Sequence, residues 1–193
     1  MSDVLITFDD ADIPTGVIGL TQRWLERAVI GLQLCPFAKA VYVKRQIRYA
    51  VTAATTAEEL LAELQHELEL LAQTDPEELD TTLLIHPHVM TDFIDFHFFL
   101  RRADAVVKNL GHAGRLQIAS FHPAYEFAGS APDDIANCTN RSPHPMLHLL
   151  RESSIDRAVA AYPDAAAIYE RNIETLRRLG HEGWYRLCTP DSD

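Results

Sequence analysis

Three short apolar runs alternate with two stretches of helical period in this chain, and that order limits the fold more than any single residue does. Residues 45–53, 81–86 and 115–121 are β-branched, aromatic or apolar enough for strands. Between the first two, Thr55 and Thr56 are followed three residues on by Glu58 and Glu59, a capping-box pattern. Leu60, Leu64, Leu68 and Leu71 then form one apolar stripe that ends near Thr74, because Asp-Pro follows. Between the second and third, Thr91 or Asp92 caps a helix with Phe93, Phe96, Leu100, Ala103, Val107 and Leu110 facing inward, closed by Gly111. A β-α-β-α-β order predicts parallel strands joined by right-handed crossovers, with sequential strands adjacent.

Helices flank this core on both sides. Val17, Leu20, Trp24, Ala28 and Leu32 share one helical face, which predicts a helix over 15–33. Everything from Pro143 onward reads as helix. Ser153 and Asp156 resemble a capping box, Pro163 breaks the chain, and Ile168, Ile173, Leu176 and Leu179 line a last helix before Gly180. The expectation is an α/β fold with a small parallel or mixed sheet of about three strands and extra helices at both termini.

The chain has 193 residues, 47% of them hydrophobic, and no linker-like stretch divides it, so one domain over 1–193 is expected, with flexible ends at 1–14 and 188–193. Seventeen Lys and Arg against 28 Asp and Glu give a formal charge of −11, which repels a phosphate backbone and argues against nucleic acid as a partner. The nearest approach to a basic cluster, Lys39, Lys44, Arg45 and Arg48, reads as a solvated face. No apolar run reaches the ~20 residues that span a bilayer, and the first residues are acidic where a secretory signal is basic, so no membrane is involved and the cytoplasm is the expected location. Cys35, Cys138 and Cys188 are far apart and never in a Cys-x-x-Cys pair, so neither a disulfide framework nor a zinc finger is indicated.

Two of the strand runs end on His-Pro, at His86 and at His122. Proline donates no ladder hydrogen bond and holds the preceding residue extended, so each ring is aimed past the sheet. The carboxyl edge of a parallel sheet is also where ligands usually bind. The stretch 137–152 adds a second group. Pro145 fits the first position of a helix, which leaves His144 near its N-cap and His148 one turn in on the same face. His86, His122, His148 and His144 are therefore the expected ligands of a divalent metal such as zinc, with Glu126 beside them. Asn140, Arg141 and Tyr125 are expected to hold a small, anionic molecule. Cys35, followed by Pro36, is placed at the N-cap of a short helix, where unpaired amides lower a thiol pKa and make a nucleophile.

The stretches "RWLERAVIGLQLCPFAKAV", "ASFHPAYEFAG" and "NRSPHPMLHLLRE", in that order, resemble an uncharacterised bacterial family of cytoplasmic proteins, a domain of unknown function. The resemblance spans nearly all of 15–187 and implies no activity, metal or catalytic residue. Chemistry alone ranks the functions. First comes a small enzyme whose His-bound metal acidifies a water for hydrolysis. Second is a cysteine enzyme in which Cys35 attacks and His122 or His86 is the base. Third is a non-catalytic module that binds a small anionic ligand.

Overall fold

A computed structural model describes residues 15–161 and 167–188. The expected break at Pro163, and the ends expected to be flexible apart from Cys188, lie outside the described residues. The elements run α1 (Thr15–Trp24), a π-helical segment (Leu25–Ile30), α2 (Ala38–Val43), β1 (Ile47–Val51), α3 (Ala57–Gln73), β2 (Thr81–Ile85), α4 (Phe93–Asn109), β3 (Leu116–Phe121), a 3-10 turn (Ile135–Thr139), β4 (Met146–Arg151), α5 (Glu152–Ala161) and α6 (Ile168–Cys188). Among the described residues no helix is long and apolar enough to cross a membrane.

The two helices between the first three strands form for the reasons their sequences carry. Thr56 caps α3: its Oγ1 accepts from the Glu59 amide at 3.2 Å, and the Glu59 carboxylate accepts from the Thr56 amide at 3.1 Å. Leu60, Leu64, Leu68 and Leu71 are each fully buried, about 1.5–3 kcal/mol of stabilisation apiece. Asp92 caps α4 by accepting from the amides of Ile94 and Asp95 at 2.8 and 3.1 Å, and Gly111 leaves the helix at φ 73°.

The sheet is mixed, in the order β1-β2-β4-β3, with β1 parallel to β2 and β4 antiparallel to both of its neighbours. Two expectations are corrected by this topology. The segment after Pro143 is not helical from its start, because residues 146–151 are a strand. The strands that end on His86 and His122 point the same way but are not adjacent, since β4 lies between them. As a central strand β4 is covered on both faces, so it lacks the polar alternation that marks a half-buried strand. Leu147 and Leu149 join the core under α3 and α4, and Met146 joins the one under α1.

Smaller departures follow the same logic. The helix expected over 15–33 is α only to Trp24 and widens into the π-helical segment before a turn at Gly31. The short helix after Cys35 starts at Ala38, not at Pro36. Helix α5 begins at Glu152, directly at the end of β4, so Ser153 does not start it. Helix α6 does not stop before Gly180 but kinks there, at φ 69° and ψ 171°, and resumes to Cys188.

Three layers result. Helices α3 and α4 cover one face of the sheet, meeting Leu84, Leu116, Leu147 and Leu149. On the other face Val17, Trp24, Leu25, Ala28 and Val29 pack against Ile47, Leu83, Ile85 and Met146, with Trp184 of α6 alongside. Arg48, expected on a solvated face, instead reaches Glu67 of α3 in a two-pronged pair of 2.7 and 3.0 Å, with side-chain exposures of only 10% and 3%.

Candidate functional site

His86 and His122 stand at one edge of the sheet, on either side of the start of β4. The His86 amide donates to the Pro145 carbonyl at 3.0 Å, and the His122 amide to the Asn140 carbonyl at 3.2 Å. Their partners fix both tautomers. His86 Nδ1 faces the Val89 carbonyl at 2.9 Å; a carbonyl only accepts, so Nδ1 carries the proton and Nε2 the lone pair. That Nε2 is buried, and nothing among the described residues hydrogen-bonds to it. In His122 the arrangement is reversed. The Ala124 amide donates to Nδ1 at 3.0 Å, so the proton is on Nε2 and goes to the Met90 carbonyl at 3.2 Å. Burial lowers the pKa of both, that of His86 to about 4, and both rings are neutral.

A metal needs lone pairs, and this edge offers few. The lone pair of His122 is taken by a backbone amide. His144 is half-buried with its own Nε2 unpartnered among the described residues, and burial, then the charge of His88, lowers its pKa. His148 is elsewhere: it lies on β4, on the opposite face of the sheet from Phe96, the ring against which His86 and His122 pack. Among the described residues no group of three or more His, Cys, Asp or Glu is placed to hold a metal ion. The four histidines do not fit one as they stand.

The anion-binding residues are also committed. Arg141 donates from Nε to the Tyr125 carbonyl at 3.2 Å and from Nη2 to the Pro132 carbonyl at 2.7 Å. Asn140 Nδ2 donates to the Ser120 carbonyl at 3.2 Å. Trp24 Nε1 donates to the carbonyl of Arg141 itself at 2.9 Å. These bonds lace the segment between β3 and β4 to itself and to α1. Tyr125 packs its ring on Phe93 and Phe127, at 5.2 and 5.1 Å between centroids, and Glu126 is half-buried in the same loop.

The other face of the sheet holds what sequence spacing missed. Between the sheet, α2 and α5 lies a cavity of about 600 Å³, walled mainly by apolar side chains such as Leu83, Phe121, Leu150 and Ile155. Cys35 and His148 both line it. His148 was expected on a helix, and only the strand assignment puts it here, beside Ala119 and Leu83 in register. The amides of Phe37 and Ala38 do approach the Cys35 sulfur, as an N-cap geometry implies, and each favours a thiolate. Burial outweighs them, so the thiol pKa is raised rather than lowered.

Two cations, Lys44 and Arg157, and two acids, Glu77 and Asp80, line this cavity. Lys44 Nζ is 3.8 Å from a Glu77 carboxylate oxygen. Arg157 Nη2 donates to Ser154 Oγ at 3.0 Å, and Ser154 donates on to Asp80 at 2.5 Å.

A family model described as a protein of unknown function (DUF1415) matches residues 16–186. No curated protein and no solved structure matches the chain.

Proposed function

The chain belongs to this family of proteins of unknown function, and from that premise we propose that it binds a small, largely apolar molecule in the cavity between the sheet, α2 and α5. The observation that carries this is the cavity itself: about 600 Å³, within the ~300–1,000 Å³ typical of ligand pockets, with apolar walls and a few polar groups. The space is not sealed but opens to solvent, so it is a cleft that a small molecule can enter.

A second reading makes the same cavity catalytic, with Cys35 as nucleophile and His148 as its base in place of His122 or His86. The placement of both side chains on one cavity wall supports it, and the raised thiol pKa weighs against it.

Calorimetric titration with small apolar probes tests the proposal. Toluene or phenol should bind the native protein with a negative heat-capacity change, and filling the space with Ala119→Trp or Ala158→Phe should abolish binding while leaving a cooperative melt. Failure of both probes to bind, or equal binding in the folded variants, overturns it. A covalent adduct on Cys35 from a small apolar chloroacetamide, lost in His148→Leu, would favour the second reading.

A further inference from the structure

The cavity's polar groups say more about what it takes than its size does, and a ligand class read from them rests on the proposal that the cavity binds a small molecule. Thr81 on β2 and His148 on β4 lie on neighbouring strands and both line the cavity. Thr81 Oγ1 is 2.6 Å from the Leu149 carbonyl oxygen and 2.7 Å from His148 Nε2. The carbonyl accepts only, so the hydroxyl proton goes there, and the oxygen is left to accept from His148 Nε2–H. The tautomer follows: Nδ1 carries the lone pair. Burial lowers the pKa of His148 to about 4, so the ring is neutral at ordinary pH and offers a ligand an acceptor rather than a charge.

The cationic groups that line the cavity among the described residues are both engaged. Lys44 is paired with Glu77, Arg157 donates to the Ser154 hydroxyl, which donates to Asp80, and both of these acids line the cavity as well. The thiol of Cys35 is neutral. A carboxylate or phosphate placed here would lose its hydration while facing Glu77 and Asp80 as well as Lys44 and Arg157, a lining with no net positive charge, which is expensive in an apolar site. A purely hydrocarbon ligand would leave the His148 lone pair unmatched, which is also unfavourable.

We infer that the ligand class of this cavity is an uncharged apolar molecule bearing one hydrogen-bond donor, an alcohol or phenol, whose hydroxyl is received by His148 Nδ1 with Thr81 holding the ring in the accepting tautomer. An anion, the ligand that Arg141 and Asn140 suggested from sequence, is disfavoured in this cavity.

The test compares phenol, toluene and benzoate, three probes of one ring size, by calorimetry at about pH 7.5. Phenol should bind native protein roughly tenfold more tightly than toluene, the size of effect expected of one buried hydrogen bond, and benzoate should bind most weakly. In His148→Leu the preference for phenol over toluene should vanish while toluene still binds, and Thr81→Val, which frees the tautomer, should reduce it. Toluene binding without a preference for phenol, or tightest binding by benzoate, overturns this inference and leaves the cavity proposal standing; no binding by any probe overturns both. Should His148→Leu fail to fold, nitrogen-15 spectra of the native histidines read the same point directly. A bare Nδ1 that shifts on adding phenol supports the inference, and a protonated Nδ1 overturns it.

Discussion

His86 and His122 meet on the same aromatic ring: the centroid of Phe96 lies 5.5 Å from one and 5.3 Å from the other. The two histidines come from strands separated by a third, and α4 brings them together by inserting that phenylalanine between the strand ends. One ring spends its lone pair on the Ala124 amide, and the other keeps its lone pair buried and unmatched among the described residues. Neither gains a carboxylate partner in these hydrogen bonds. Both therefore weigh on stability whenever they are asked to accept a proton.

Acid should unfold this protein early. Burial holds His86 and His148 at about 4, against the ordinary 6.5. As pH falls through 6.5 an unfolded chain takes up protons that the folded chain refuses until about 4, so stability present in full near neutrality is lost across that window. Each residue contributes a loss on the order of 2 kcal/mol by about pH 5. Urea midpoints at about pH 7.5 and 5 should show the fall, and His148→Leu should flatten it. A flat profile in native protein would show that these rings are not buried neutral.

Glu67→Leu should destabilise by about 3–5 kcal/mol, because it strips the carboxylate from an Arg48 whose side chain is 10% exposed. Replacing both partners, with Arg48→Met added, should recover much of the loss, since no charge is then left behind. Denaturant unfolding of the three variants decides it. A double variant no better than the single would mean that the pair is not what holds β1 to α3.

Alkylation by iodoacetamide should find Cys35 slow at neutral pH, with a rate that climbs only above the ordinary thiol range, as the raised pKa requires. Cys138 and Cys188 are raised by burial as well, Cys188 to about 11, so none of the three should stand out as reactive. Rapid labelling of Cys35 at neutral pH would restore it as a nucleophile.

Gln33 is exposed and sits at φ 57°, a left-handed conformation that costs a side-chain-bearing residue about 1–2 kcal/mol. Gln33→Gly should stabilise the fold, by up to about 1 kcal/mol once the greater freedom of glycine in the unfolded chain is counted. Thermal melts check the sign, and a lower melting temperature refutes it.

The parts of the fold legible in the sequence are those where local chemistry and tertiary role agree. Thr56, Glu59 and the four leucines of α3 say the same thing at every level, as do Asp92 and Gly111 around α4. The segment from Met146 to Arg151 does not speak with one voice. Its residues favour helix by propensity, and burial on both faces erases the alternation that would have betrayed a strand; only its pairing with Thr81 and Phe121, distant in sequence, decides the matter. That one segment carried the site with it. The His-Pro strand ends are visible in the sequence and do share an edge, but i,i+4 spacing puts His148 on a helix and hence among the wrong neighbours. The cavity that it shares with Cys35 is assembled from residues more than 100 positions apart, and no spacing rule links them.

The placement of β4 sets an order of events for a chain made from its amino end. When the first 145 residues have been synthesised, β1 and β2 can pair, but β2 and β3 have no common neighbour and each presents an open row of amides and carbonyls. The strand that joins them is made after all three of the others. Until it arrives, the Leu84 and Leu116 side of the sheet cannot close, and the nascent protein carries two sticky edges of the kind that invite pairing with other chains. Completion of the sheet thus waits for residues 146–151, and a truncated product lacking Met146–Arg151 is left without the strand that bridges its two halves.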